Sequence, residues 1–96
     1  MSTTPNLAEV STILKRHLPA GYEAVLFGSR ATGEATPRSD WDIGLIGPER
    51  LQAVVMWSIR EALEEMPTLH TFDVVDFITV PNSFRKVALR KVIRLV

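Results

Sequence analysis

Between Phe27 and Gly44 the chain reads F-G-S-R-A-T-G-E-A-T-P-R-S-D-W-D-I-G, and this stretch limits the fold more than any other. An apolar run of strand length, Tyr22 to Phe27, stops at Gly28-Ser29. Residues 30–39 are small and polar, broken by Gly33 and Pro37, so they make a loop or a short helical turn. Asp40-Trp41-Asp42 then opens a second apolar run that ends at Ile46. Side chains alternate along a strand, so Asp40 and Asp42 share one face and Trp41 takes the other.

The rest of the chain alternates helix and strand patterns. Leu7, Val10, Ile13, Leu14 and Leu18 fall on one helical face. Asn6 and Glu9 stand at capping spacing before it, and Pro19-Ala20-Gly21 ends it. Pro48 is the expected start of a second helix that buries Leu51, Val54, Val55, Ala62, Leu63 and Met66 and stops at Pro67. Phe72 to Val80, rich in Val, Ile and Phe, predicts a third strand. Pro81-Asn82 opens a last helix carrying Phe84, Val87 and Ala88, and Val92 to Val96 is either a short edge strand or a frayed helix end. This order predicts a small α/β domain: a three- or four-stranded mixed sheet, helices mainly on one face, the other face left to solvent or a partner.

With 96 residues, a single domain over 1–96 is expected, since two would leave neither with an interior. Eleven basic and eleven acidic residues cancel, so no overall field draws the chain to nucleic acid or membrane, and direct nucleic-acid binding is not expected. No apolar run approaches the ~20 residues that span a bilayer. Met1 to Pro5 lacks the basic and apolar segments of a leader, which makes the cytoplasm the default compartment. The absence of cysteine excludes disulfides, thiolate metal sites and cysteine catalysis.

Paired carboxylates in a partly dry site repel one another unless a cation neutralises them. Mg²⁺ suits such a pair, because it takes a few carboxylate oxygens and completes its shell with phosphate and water. Gly28 allows close backbone approach, and the Ser29 hydroxyl and amide can then bond a phosphate oxygen. Together these describe a site for a nucleoside triphosphate. A third acid is expected on the neighbouring strand, where F-D-V-V-D-F offers Asp73 and Asp76. Three residues apart, they face opposite sides in regular strand geometry, and alternation alone does not choose between them.

These residues resemble the minimal nucleotidyltransferases of the polymerase-β-like superfamily. The family pattern is Gly-Ser, ten residues, then Asp-x-Asp, which Gly28-Ser29 and Asp40-Trp41-Asp42 match. The likeness extends through G-S-R-A-T-G, Ser39, F-D-V-V-D-F and F-R-K-V-A-L-R-K, nearly the whole chain. It implies that Asp73 is the third metal-binding carboxylate and that Asp76 is a strand-end residue in solvent or near a partner. Gly44 departs from the aliphatic residue common in relatives; it lies on the face of the two aspartates and either leaves room for a ligand or is simply tolerated.

The resemblance implies a two-metal site in which Asp40, Asp42 and Asp73 hold Mg²⁺ and perform catalysis. Gly28, Ser29 and Arg30 would bind the nucleotide, ATP. Arg38 flanks the site too, and either arginine could neutralise triphosphate or simply be solvated. Larger members of the superfamily carry a helical domain for the acceptor, and this sequence leaves no residues for one. The implied partner is a helical HEPN protein, often an RNase toxin. The implied activity is that of an antitoxin moving AMP from ATP to a hydroxyl of that partner, a tyrosine first. Two alternatives stand beside it: a catalytically quiet module that neutralises the partner by occlusion, and a small-molecule nucleotidyltransferase of the aminoglycoside type with a helical subunit.

Other polar and aromatic residues have plainer readings. His17 and His70 lack metal-ligand spacing and read as structural. Trp41 and Trp57 read as core or interface aromatics. Arg85, Lys86, Arg90, Lys91 and Arg94 make the C-terminal segment basic, with no acid after Asp76. A solvated helix face explains that run, and so does a docking surface for an acidic protein or RNA.

Overall fold

A computed structural model describes residues 5–96. The expected absence of a leader over Met1 to Thr4 therefore lies outside the described residues. The elements follow the predicted order: α1 (Leu7–His17), β1 (Glu23–Phe27), α2 (Ser29–Thr32), β2 (Trp41–Ile46), α3 (Ala53–Glu64), β3 (Phe72–Asp76), a 3₁₀ turn (Phe77–Thr79), α4 (Asn82–Ala88) and β4 (Ile93–Arg94). The four strands form one mixed sheet in the order β3-β2-β1-β4. β2 lies antiparallel to β1 and parallel to β3, and β4 pairs antiparallel with β1.

The main core is one sheet face under two helices. Val10 and Leu14 of α1 and Ile59 and Leu63 of α3 pack on Ala24, Ile43, Leu45 and Val74, all buried. Asn6 caps α1 as the sequence predicts, its Oδ1 accepting from the amides of Ala8 at 2.9 Å and Glu9 at 3.3 Å. α3 starts five residues later than Pro48 suggests. Gln52 is extended and the Leu51 amide is bonded elsewhere, so residues 48–52 cannot begin the helix. The later start turns Val54 outward, 63% exposed instead of buried, and leaves Ile59 and Leu63 to fill the core.

The opposite face is more covered than an open sheet. Val25 and Phe27 pack there with Phe77, and α4 lies beyond them. Phe84 of α4 meets Phe27 and Phe77 edge-on at centroid distances of 6.1 and 6.4 Å. Gly44 faces this second cluster. A Cβ at Gly44 would collide with the ring of Phe77, so the missing side chain makes room for an aromatic residue of the core and not for a ligand.

The third strand stops at Asp76, short of the predicted Val80. Asp76 is buried, in contrast to the solvent or partner position implied for it. Its carboxylate accepts from the Leu51 amide at 2.9 Å and from the Ile78 amide at 3.3 Å, which ends the ladder and starts the 3₁₀ turn. That turn then delivers Phe77 to the second face. The chain end resolves as an edge strand, Val25 opposite Arg94 and Leu26 opposite Ile93.

Two stability measurements follow from this packing. Asp76→Ala leaves two amides without their acceptor and is expected to cost about 1–3 kcal/mol in urea denaturation. Gly44→Val overpacks against Phe77 and is expected to cost a similar ~1–3 kcal/mol.

Candidate active site

Strand register brings the candidate acids together. In the ladders Phe27 lies opposite Asp42, and Asp42 lies opposite Asp73. Directly opposed residues in a sheet share a face, so Asp73 joins Asp42 and the face of Phe27. Asp76, three positions on, points to the face of α3, where Leu51 binds it. Register thus makes the choice that alternation left open, and it selects Asp73.

Gly28 follows β1 with φ 73° and ψ −156°, a region that favours glycine. A Cβ there would collide with the Asp42 carboxylate, so the backbone of the Gly28-Ser29 turn sits directly against this acid. Ser29 begins the four-residue helix α2, and Gly28 occupies its cap position without a side-chain bond. Gly28, Asp42 and Asp73 line one cavity of about 640 Å³, whose far wall is Phe84, Val87 and Ala88 of α4.

Asp40 lies one residue before β2 and is exposed. The Thr71 hydroxyl donates to its Oδ1, and the Thr71 carbonyl accepts from the Trp41 amide at 3.0 Å. Thr71 therefore orients Asp40 while fixing where β2 and β3 begin. The sequence held no signal for this residue, because it lies far from the Asp-x-Asp motif in the chain.

Arg30 is placed away from the cavity. Its Nη2 donates to the Ser39 carbonyl at 2.9 Å, and its guanidinium lies 4.4 Å from the centre of the Trp41 ring. It ties α2 to the end of the loop that delivers Asp40. Trp41 is buried, as expected of a core aromatic, with His70 edge-on to it at 5.8 Å. Trp57 is 63% exposed and contributes nothing to the core.

The electrostatics centre on Asp42. Partial burial raises its pKa above the ordinary carboxylate value, and the charges of Asp73 and then Asp40 raise it further. Among the described residues no group of three or more His, Cys, Asp or Glu is set to hold a metal ion by itself. A ready-made triad is thus not what the chain presents, with Asp40 turned to Thr71. A like-charged cluster against a glycine turn is what it presents, and a hard divalent cation relieves that condition, so the donor set fits such an ion.

A group whose folded pKa is raised binds its proton more tightly when folded. Its contribution to stability is therefore present at low pH and is lost as pH rises through the folded value. At neutral pH, in chelator, ionised Asp42 works against folding. Asp42→Asn is expected to raise the melting temperature by a few degrees at pH 7 in EDTA, an advantage that shrinks as the wild type is taken to acid pH. Thermal melts across that range test it.

The family model of polymerase beta nucleotidyltransferases matches residues 9–96. The chain is 36% identical over 86 residues to a probable protein adenylyltransferase MntA of Haemophilus influenzae, covering 90% of this chain and 74% of that one. A toxin–antitoxin crystal structure with AMP-PNP superposes with a TM-score of 0.74 at 21% identity, over 95% of this chain and 73% of the other. A tri-AMPylated HEPN toxin of Shewanella oneidensis in complex with its MNT antitoxin gives 0.66 at 18% identity, over 94% and 68%. At those identities the solved structures speak for the fold alone. With the family model spanning nearly all of it, and its carboxylates aligned by register beside a Gly-Ser turn, the chain belongs to the polymerase beta nucleotidyltransferase family.

Proposed function

We propose that this chain is the antitoxin of a toxin–antitoxin pair and acts by transferring AMP from ATP to a hydroxyl of a helical HEPN partner, a tyrosine first. The observation that carries the chemistry is the cavity in which Gly28, Asp42 and Asp73 meet. The kinship with an adenylyltransferase, and the toxin complexes among its structural neighbours, support the choice of acceptor. Such a pair would work in the cytoplasm, where ATP is available.

In this reading the Gly28-Ser29 turn receives the triphosphate. Its backbone comes close because no Cβ intervenes, and the Ser29 hydroxyl bonds a phosphate oxygen. Asp40, Asp42 and Asp73 would hold divalent cations, Mg²⁺ first, with a two-metal site as the working model. Bound there, the ions would supply charge neutralisation at the attacking and departing oxygens. The acceptor oxygen forms a bond to the α-phosphorus as the bond from that phosphorus to the β-bridging oxygen breaks. Asp73, exposed at the cavity, takes the hydroxyl proton, and pyrophosphate leaves with the electron pair. Arg30 serves the reaction at a distance, by holding the loop end that positions Asp40.

Intact-mass spectrometry of the helical partner, incubated with this chain, ATP and Mg²⁺, tests the proposal. The partner is expected to gain one or more AMP groups. Asp40→Asn is expected to lower the transfer by at least ~10²-fold, since one ligand of the cation site is lost. A partner of unchanged mass, still bound and neutralised by Asp40→Asn, would overturn the catalytic reading in favour of occlusion.

A further inference from the structure

The structure divides the basic C-terminal segment into residues with different work. Arg85 is structural: its Nε and Nη2 donate to the Phe77 carbonyl at 3.1 and 2.7 Å, holding the 3₁₀ turn. Arg94 pairs with Glu23 across β4 and β1 at 3.6 Å. Lys86, Arg90 and Lys91 are left, and of these Arg90 and Lys91 line the cavity that contains Gly28, Asp42 and Asp73. Among the described residues neither forms an ion pair or a side-chain hydrogen bond.

The sheet explains how they arrive there. β4 runs antiparallel to β1 with Leu26 opposite Ile93, so counting back two residues brings Lys91 level with Gly28. The chain leaving α4 thus passes the end of β1 at the Gly-Ser turn. Both residues are exposed at the cavity.

We propose that Arg90 and Lys91 bind the β- and γ-phosphates of the nucleoside triphosphate, beside the Gly28-Ser29 turn. This rests on the nucleotidyltransferase reading and adds two substrate-binding residues to it. The charge argument is direct. The cavity presents the acids Glu34, Asp42 and Asp73 to a ligand that is itself a polyanion. Phosphate beyond the reach of the metal-binding acids needs cations of the protein's own, and an arginine beside a lysine supplies fork and point-charge contacts. A nucleoside monophosphate ends at the α-phosphate and does not reach them.

The test is calorimetric binding of ATP and of AMP to the full chain in Mg²⁺. The wild type is expected to prefer ATP. Arg90→Ala with Lys91→Ala is expected to weaken ATP by about tenfold or more and leave AMP within about twofold. The exchanged pair Arg90→Lys with Lys91→Arg is expected to keep most of the preference. An Ala pair that retains the preference for ATP overturns the assignment, and so does one that loses ATP and AMP equally. If that variant keeps the preference but releases the helical partner, the residues belong to docking and the proposal fails. A wild-type chain that binds no ATP would remove the nucleotidyltransferase reading as well, so the two failures are distinct.

Discussion

Parallel pairing of β2 with β3 determines what the rest of the molecule can do. It sets Asp73 opposite Asp42 and, in the same stroke, sends Asp76 to the helical face. A slip of one residue would reverse both assignments, because side chains alternate with a period of two. Several contacts hold the register in place. The Thr71 carbonyl takes the Trp41 amide at the start of the two strands, and Asp76 takes the Leu51 amide at the end. Both partners come from loops, so the position of Asp73 depends on hydrogen bonds outside the ladder itself.

The second face of the sheet shows how α4 comes to bound the cavity. Gly44 admits Phe77, and Phe27, Phe77 and Phe84 then pack as a cluster that supports α4. α4 buries none of its residues completely, yet it forms a wall of the cavity. Its apolar side chains Phe84 and Val87 remain 45% and 60% exposed. The chain thus combines a tight core under α1 and α3 with a looser layer at the site. Raised proton affinity at Asp42 belongs to the same pattern, since burial among like charges opposes folding while it prepares a place for cations.

Much of this was legible beforehand, and the residues explain why. The Asn6 cap, the α1 face and the strands at Tyr22 and Trp41 depend on neighbours a few positions away, which periodicity records. The errors lie where a distant partner intervenes. Pro48 suggests a helix start, but Asp76 holds the Leu51 amide out of one. Phe77 to Val80 has strand composition, but the same carboxylate bends it into a turn. Arg30 sits beside the Gly-Ser pair in sequence, yet its guanidinium is drawn to Ser39 and Trp41.

From the sequence alone came the α/β order, the Gly-Ser turn ten residues before the Asp-x-Asp pair, and the chemistry such a group implies. Those are consequences of spacing and residue type, which a strand or turn expresses locally. Tertiary structure alone set Asp73 directly opposite Asp42, and decided that Gly44 serves Phe77, that Thr71 orients Asp40, and that Arg90 and Lys91 reach the cavity. Each of these is a meeting of segments far apart in the chain, fixed by strand register and by which side chains fill the sheet's two faces.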